Sequence, residues 1–436
     1  MGSVKRDRLG IVDLFSGAGG FSAGFGEVGF ELLGGLDRWR PACDSLQANH
    51  PRAHIKCGNI RKIDAADFAS ELSRAPDLVL GGPSCQGFST SSGLSRNGRK
   101  QGDERNSLFL EFVRFVDGLK PNWVCMENVP GLLLYKRGAV ARAVMEEFRS
   151  IGYFTVPIIL LAADYGVPQL RRRLFFIGNR IGSKVPIPVP SHGDPNLWKG
   201  FALPFEHLSR IGNKSAIASR PPHVSFGEAC GDLPVIQPGQ TACEGLKSAP
   251  LTDYQAYSRS GLNSDRSLAL HYAFPLSDFD RKAAQVLKPG ENWTNLPPSL
   301  KVGRFAKIRR YDATTLVKRL IGTRPAWTIN TKFNDATTGA YIHPSQNRTL
   351  SLREAARLQS FRDGYIFEGS NAEIRRQIGN AVPPLLARRI ADSLFQAMSG
   401  DQASNDSIWL DPTASIDDLL GLKPSSRKPA SASVGS

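Results

Sequence analysis

Residues 11–21, Ile11-Val12-Asp13-Leu14-Phe15-Ser16-Gly17-Ala18-Gly19-Gly20-Phe21, read as an apolar strand that runs into a glycine-rich turn and opens a helix. Glycine suits such a turn because a Cβ would block close approach of a ligand to the backbone. Asp37 follows twenty residues after Gly17, at the end of the next strand-like run, Leu32–Leu36. An acid at that place can accept from ribose hydroxyls. The pair points to an adenosine-containing cofactor, the alternative being a tight strand–helix turn that binds nothing. Counting from Gly17, Ser22 stands where the third glycine or alanine of a GxGxxG turn belongs, which disfavours a nicotinamide cofactor.

Outward from this stretch the alternation continues. Strands are expected at Gly10–Phe15, Leu32–Leu36, Leu78–Gly81, Trp123–Met126 and Leu174–Ile177, with helices between them such as Ser107–Leu119 and Ala139–Ile151. That rhythm predicts an α/β fold, a parallel sheet covered by helices. From about residue 186 to 340, Pro, Gly, Ser and Asn recur every few residues and the rhythm is lost. It returns near Thr349, where Ser351, with Glu354 three residues on, predicts a capped helix; a second helix, Leu385–Met398, follows a Pro-Pro pair. At roughly 150 residues per domain, 436 residues suggest two or three domains. The divisions expected are 1–185, 186–344, 345–398, where the α/β rhythm resumes, and a disordered Ser/Ala/Pro-rich tail, 399–436.

A net charge of +15 costs self-repulsion and implies an anionic partner, nucleic acid or a membrane surface. The membrane reading fails, because the longest apolar run, Val156–Ala163, is eight residues where a span needs 18 or more. The N-terminal residues lack the apolar core of a secretory signal, and Arg6 breaks the myristoylation pattern. Six cysteines without a CxxC pair fit free thiols, a reducing cytoplasm and no structural metal. Charge concentrates in residues 281–320, with ten Lys/Arg against Glu291 and Asp312, hence +8 of the total. Trp293, Phe305 and Tyr311 are interleaved there, which favours a phosphate-contacting surface over a merely solvated basic face.

Four further motifs carry chemistry. Gly81-Gly82-Pro83-Ser84-Cys85-Gln86-Gly87-Phe88-Ser89 delivers Cys85 from an apolar strand onto a polar loop, the setting of an accessible thiol rather than a small buried hydrophobe. The polar, basic stretch that follows suits a lid over a polyanion, or an ordinary flexible loop. Glu127-Asn128-Val129-Pro130 places a carboxylate at the end of another strand, on the same edge as Cys85 unless it is a plain surface turn. In Gln169-Leu170-Arg171-Arg172-Arg173, alternation puts Gln169, Arg171 and Arg173 on one face; a basic hairpin edge is the bland alternative. Gln377-Ile378-Gly379-Asn380-Ala381-Val382-Pro383-Pro384 reads, taken alone, as a turn ahead of the last helix.

The order and spacing of these pieces together resemble the DNA (cytosine-5-)-methyltransferase family, in its bacterial form. The resemblance covers Ile11 to about Arg180 and Arg348 to about Met398. It implies a Rossmann-like S-adenosylmethionine-dependent methyltransferase sheet with a smaller, irregular target-recognition domain. On the family's pattern Phe15, Ser16, Gly17, Gly19, Asp37, Asn59, Ile60 and Asn380 would hold S-adenosyl-L-methionine. Asn59 departs from the more usual Asp while keeping an acceptor oxygen. Cys85 would be the nucleophile that adds to carbon 6 of a flipped-out cytosine. Glu127 would hold ring nitrogen 3 and the exocyclic amine, Arg173 the base carbonyl, and Arg171 would steady the loop or a phosphate. Gln86, Asn128 and Gln169 are the remaining substrate-side candidates.

The implied partner is double-stranded DNA, bound by a monomer, with a restriction endonuclease of the same system as a further candidate. An RNA cytosine-5 methyltransferase on the same scaffold is the nearest rival; its Cys-Phe-Thr signature is absent here. A catalytically silent DNA-binding relative is a second rival, opposed by intact Cys85, Glu127 and Arg173.

Overall fold

The computed structural model describes residues 8–83, 108–134, 138–193, 220–243, 245–246, 248–262, 270–301, 303–307, 313–400 and 407–411. Its strands are β1 (Gly10–Leu14), β2 (Glu31–Asp37), β3 (His54–Cys57), β4 (Leu78–Gly81), β5 (Trp123–Asn128), β6 (Phe154–Leu161), β7 (Gln169–Leu170), β8 (Arg172–Asn179), β9 (Val185–Pro188), β10 (Ala326–Trp327) and β11 (Ser407–Leu410). β1 and β4 are buried at every position, as strands covered on both faces must be, and accordingly read as apolar runs, broken in β1 only by Asp13. Helix Leu108–Leu119 buries Phe112, Val113, Phe115, Val116 and Leu119, the one-sided stripe that seats a helix on a sheet.

Seven strands form one sheet in the order β3-β2-β1-β4-β5-β8-β6. The pairs β3–β2, β2–β1, β1–β4 and β4–β5 are parallel, and only β8 runs against its neighbours. Pro157, which cannot donate to a ladder, lies in the edge strand β6. The chain leaves β1 toward β2 and β3, then crosses to β4 on the other side. The order therefore reverses between β1 and β4, the place where open α/β sheets open a ligand crevice.

Among the described residues three apolar cores are formed. The first lies on the sheet and includes Leu386, Ala387, Ile390, Ala391 and Leu394 of helix Pro384–Met398. That helix packs on helix Gly20–Val28 at Gly24, where a Cβ would strike the Pro384 carbonyl. The second joins Phe226, Ala229, Cys230 and Tyr254 to Leu352, Leu358, Phe361 and Ile378. Packing thus runs across the division expected at residue 344. The third, around Ala283, Leu287, Trp293, Leu296, Phe305, Val317 and Ile342, belongs to the irregular segment itself.

The cap expected at Ser351 is present: its hydroxyl accepts from Glu354 N at 3.0 Å, and the Glu354 carboxylate accepts from Ser351 N at 2.8 Å. The disordered tail expected over 399–436 is corrected at Ser407–Leu410, which pairs antiparallel with β9. Ser407 Oγ donates to Ser393 Oγ at 2.7 Å. Among the described residues no helix is long and apolar enough to cross a membrane.

Candidate functional site

The C-terminal ends of β1 to β5 share one edge of the sheet, and antiparallel β8 starts from it. β1 ends in Phe15, Gly17 and Gly19, all at positive φ (56°, 55° and 86°). Such angles cost a residue with a Cβ, so Phe15 is held there by its surroundings. A Cβ at Gly19 would collide with Leu46 and the Tyr365 hydroxyl, whereas one at Gly17 would meet nothing within 4 Å. Gly17 therefore faces open space. The neighbouring Ser16 hydroxyl is buried with no partner among the described residues. Asp37 ties the turn down, accepting from Gly17 N and from Trp39 N, each at 2.9 Å. Burial pushes its carboxyl up against those hydrogen bonds.

β3 continues into Gly58, whose N–H donates to Asp37 O at 2.8 Å. Asn59 caps the short turn Ile60–Lys62, its side-chain oxygen accepting from Arg61 N at 3.2 Å. The acceptor expected to be available to an adenine is thus engaged by the backbone, while Ile60 is buried. Asn380 is the last residue of helix Asn371–Asn380 and is exposed. Ser45 Oγ donates to Gln377 on that helix at 2.6 Å, and Tyr365 OH donates to Ala18 O, so the returning segment is fastened beside the glycine turn.

At the end of β5, Glu127 Oε1 lies 2.7 Å from Arg173 Nε, both side chains 14% exposed. Burial pushes the Glu127 carboxyl up, and the Arg173 and Arg171 guanidiniums pull it back. Gly82 backs onto this pair, since a Cβ there would sit 3.1 Å from Glu127 Oε2. Asn128 donates from its amide to Pro83 O at 3.1 Å and accepts from Val129 N at 2.9 Å. The stem of the cysteine loop is thereby fixed against the carboxylate. Cys85, Gln86 and the lid Ser89–Ser107 lie outside the described residues.

Two expectations for the QLRRR run are corrected. Gln169 is fully buried and cannot reach a substrate: its amide donates to Leu358 O (2.9 Å) and Gln359 Oε1 (3.0 Å) and accepts from Ile329 N (2.8 Å). Arg171 is 1% exposed, too buried to reach a phosphate, which leaves the other expected role, steadying the backbone. It donates to Ile329 O at 2.7 Å, and to Gly379 O and Ala381 O at 3.2 and 3.0 Å, the carbonyls on either side of Asn380. It is a positioning residue.

The basic segment needs the same sorting. Trp293 and Phe305 are core residues, not surface stackers. Arg319 is buried and spends its guanidinium on His343 O, Gln346 O, Ala284 O and Asn347 Oδ1. Lys288 and Lys307 remain exposed, and Arg281 pairs with Asp278 at 3.0 Å.

Sequence reading missed Asp13 and Trp39. Asp13 lies beneath the glycine turn, 1% exposed, and accepts from Ser22 Oγ; burial pushes its carboxyl up to about 7. An acid inside an otherwise apolar run was the available signal. Trp39 carries the Arg376 guanidinium 4.5 Å from its ring centroid, an approach across 337 positions that no local pattern encodes.

A seven-stranded sheet with one antiparallel strand and a glycine turn at its reversal point is the Rossmann-like methyltransferase fold. The matched family is C-5 cytosine-specific DNA methylase, over residues 9–396, and the chain belongs to it. Type II methyltransferase M.DdeI of Desulfomicrobium norvegicum is 34% identical over 420 residues, covering 92% of this chain and 91% of its own. Type II methyltransferase M.AgeI of Thalassovita gelatinovora is 32% identical, covering 89% and 99%. Among solved structures, one described as a prophage-encoded DNA modification methyltransferase (E. coli) superposes with a TM-score of 0.63. It is 23% identical and covers 90% of this chain and 99% of its own.

Proposed function

We propose that the chain methylates carbon 5 of a cytosine flipped out of double-stranded DNA, through a covalent Cys85 adduct, with S-adenosylmethionine as donor. The observation that carries this reading is the Glu127–Arg173 pair seated against Gly82 and Pro83, two residues short of Cys85, on the β4 side of the sheet's reversal point. The residues present fit the cofactor. Ser16 offers a buried hydroxyl without a partner among the described residues, Gly17 faces open space, Asp37 ties down the same turn, and Ala381, next to Asn380, packs at Gly20. When bound, S-adenosylmethionine supplies an electrophilic methyl group.

Carbon 5 of cytosine is a poor nucleophile until the ring becomes enamine-like. The Cys85 thiolate adds to carbon 6, which moves electron density to carbon 5 and toward ring nitrogen 3. Glu127 faces ring nitrogen 3 and the exocyclic amine and stabilises the charge that develops there. Arg173 keeps Glu127 oriented and offers guanidinium N–H groups to the base carbonyl. Arg171 does not touch the base; it fixes the backbone around Asn380. Loss of the carbon-5 proton and expulsion of Cys85 restore the ring. A stacked base cannot reach these groups, so the cytosine leaves the duplex, with Gln86 a candidate to fill the gap. A restriction endonuclease of the same system is the partner that the names of the relatives suggest.

Cys85→Ser tests the reading. Methyl transfer from labelled cofactor to DNA is expected to vanish while cofactor binding persists; retained turnover would name another nucleophile.

A further inference from the structure

Two thiols meet at the peptide of Asp37. Cys43, on helix Arg40–Asn49, is 2% exposed and donates from Sγ to Asp37 O at 3.3 Å. Cys57 ends β3 as the register partner of Asp37 and is partly exposed. The same Asp37 oxygen accepts from Gly58 N at 2.8 Å. Both sulfurs are reduced in the structure. Neither takes part in the chemistry derived above.

We propose that Cys43 and Cys57 form a reversible disulfide, a modification site that controls access of the cofactor to the Asp37 side of the crevice. The control half rests on the reading of Asp37 and Asn59–Ile60 as cofactor-side residues. Cys43 is buried and Cys57 is partly exposed, so Cys57 is the sulfur an oxidant meets. With a peroxide as oxidant, the Cys57 thiolate attacks one peroxide oxygen and hydroxide leaves, taking a proton to become water. Cys57 is then a sulfenic acid. The Cys43 sulfur attacks it, the S–O bond breaks, and the oxygen leaves as water with the Cys43 proton. Two thiols are oxidised and one peroxide becomes two waters. A dithiol reverses the step by exchange.

The consequence follows from length. A disulfide closes the sulfurs to about 2.05 Å, well inside a non-bonded contact. Closure takes the Cys43 donor from Asp37 O and draws the start of helix Arg40–Asn49 toward β3. Trp39 N, bonded to the Asp37 carboxylate, precedes that helix. The carboxylate that ties down Gly17 is displaced with it.

The test uses the full chain carrying Cys85→Ser, so that oxidation of the nucleophile does not enter the readout. After hydrogen peroxide, non-reducing peptide mapping is expected to show the Cys43 and Cys57 peptides linked. The dissociation constant for S-adenosylmethionine is expected to rise about tenfold, to recover with dithiothreitol, and to stay constant when Cys57→Ser is added. Cys57 recovered as a sulfinic acid with no linked peptide would overturn the proposal. So would a linked peptide with unchanged cofactor affinity. If the reduced chain bound no S-adenosylmethionine at all, the functional reading would fall, while the linkage itself would still be read from the peptides.

Discussion

Two arginine–carboxylate sites in this molecule use the same chemistry to opposite ends. Arg357 is fully buried and spends every nitrogen: Nε and Nη2 donate to the two Asp363 oxygens at 2.9 and 2.6 Å, and Nη1 donates to Asp232 Oδ1 and Ala229 O at 2.5 and 3.0 Å. Burial alone would lower its pKa, but Asp363 and Asp232 outweigh it and raise it. The Glu127–Arg173 pair is joined through Nε, keeps 14% of each side chain accessible, and holds a carboxyl that burial pushes up. A closed pair fastens segments together, here 229–232 to 357–363. A pair at an open edge, with a second carboxylate oxygen beside Gly82, can still receive a base.

The comparison breaks if the two sites respond alike. Arg357→Ala leaves Asp232 and Asp363 buried with a lost partner, and about 3–5 kcal/mol of stability is expected to go, read from urea unfolding. Glu127→Gln is expected to leave the unfolding midpoint nearly unchanged while methyl transfer falls by about 10²–10³. A Glu127→Gln chain that unfolded like Arg357→Ala would make that pair structural.

Asp13 sharpens the contrast, being a buried acid bonded to Ser22 and facing a second acid, Asp37. The folded chain keeps its proton up to about 7, whereas the unfolded chain releases it near 3.8. Unfolding between those values therefore releases a proton, and the Asp13 contribution to stability is lost as pH rises toward 7 and above. Asp13→Asn is expected to flatten that decline in unfolding midpoints measured at pH 5 and pH 8. The smallest effect belongs to the basic segment. Lys307→Ala is expected to lower the slope of log affinity for DNA against log salt by about 0.9, with stability unchanged.

What could be read from the sequence was what neighbours along the chain decide. The β1 strand, its glycine turn and the Ser351–Glu354 cap are set within a few residues, and Glu127 follows an apolar strand whose direction fixes its edge. Gln169 and Arg171 misled because alternation assumes an unbroken strand. The ladder is interrupted between β7 and β8, and their partners Ile329, Leu358, Gly379 and Ala381 come from far along the chain. Trp293 and Phe305 looked like surface aromatics because the third core is assembled from scattered residues with no periodic signal. β11 was lost in the tail because distant partners define it: its pairing with β9, its contact with Ser393, and the packing of Ile408 and Leu410 on the first core.

The central claim is that a thiol delivered from β4 attacks a cytosine held by Glu127. Incubating the chain with S-adenosylmethionine and duplex DNA carrying 5-fluorocytosine at methylated sites tests it most directly, because fluorine at carbon 5 blocks release of the nucleophile. The account predicts a denaturant-resistant protein–DNA adduct whose peptide carries the base on Cys85. An adduct on any other residue, or methylation of such DNA with no adduct formed, would contradict it.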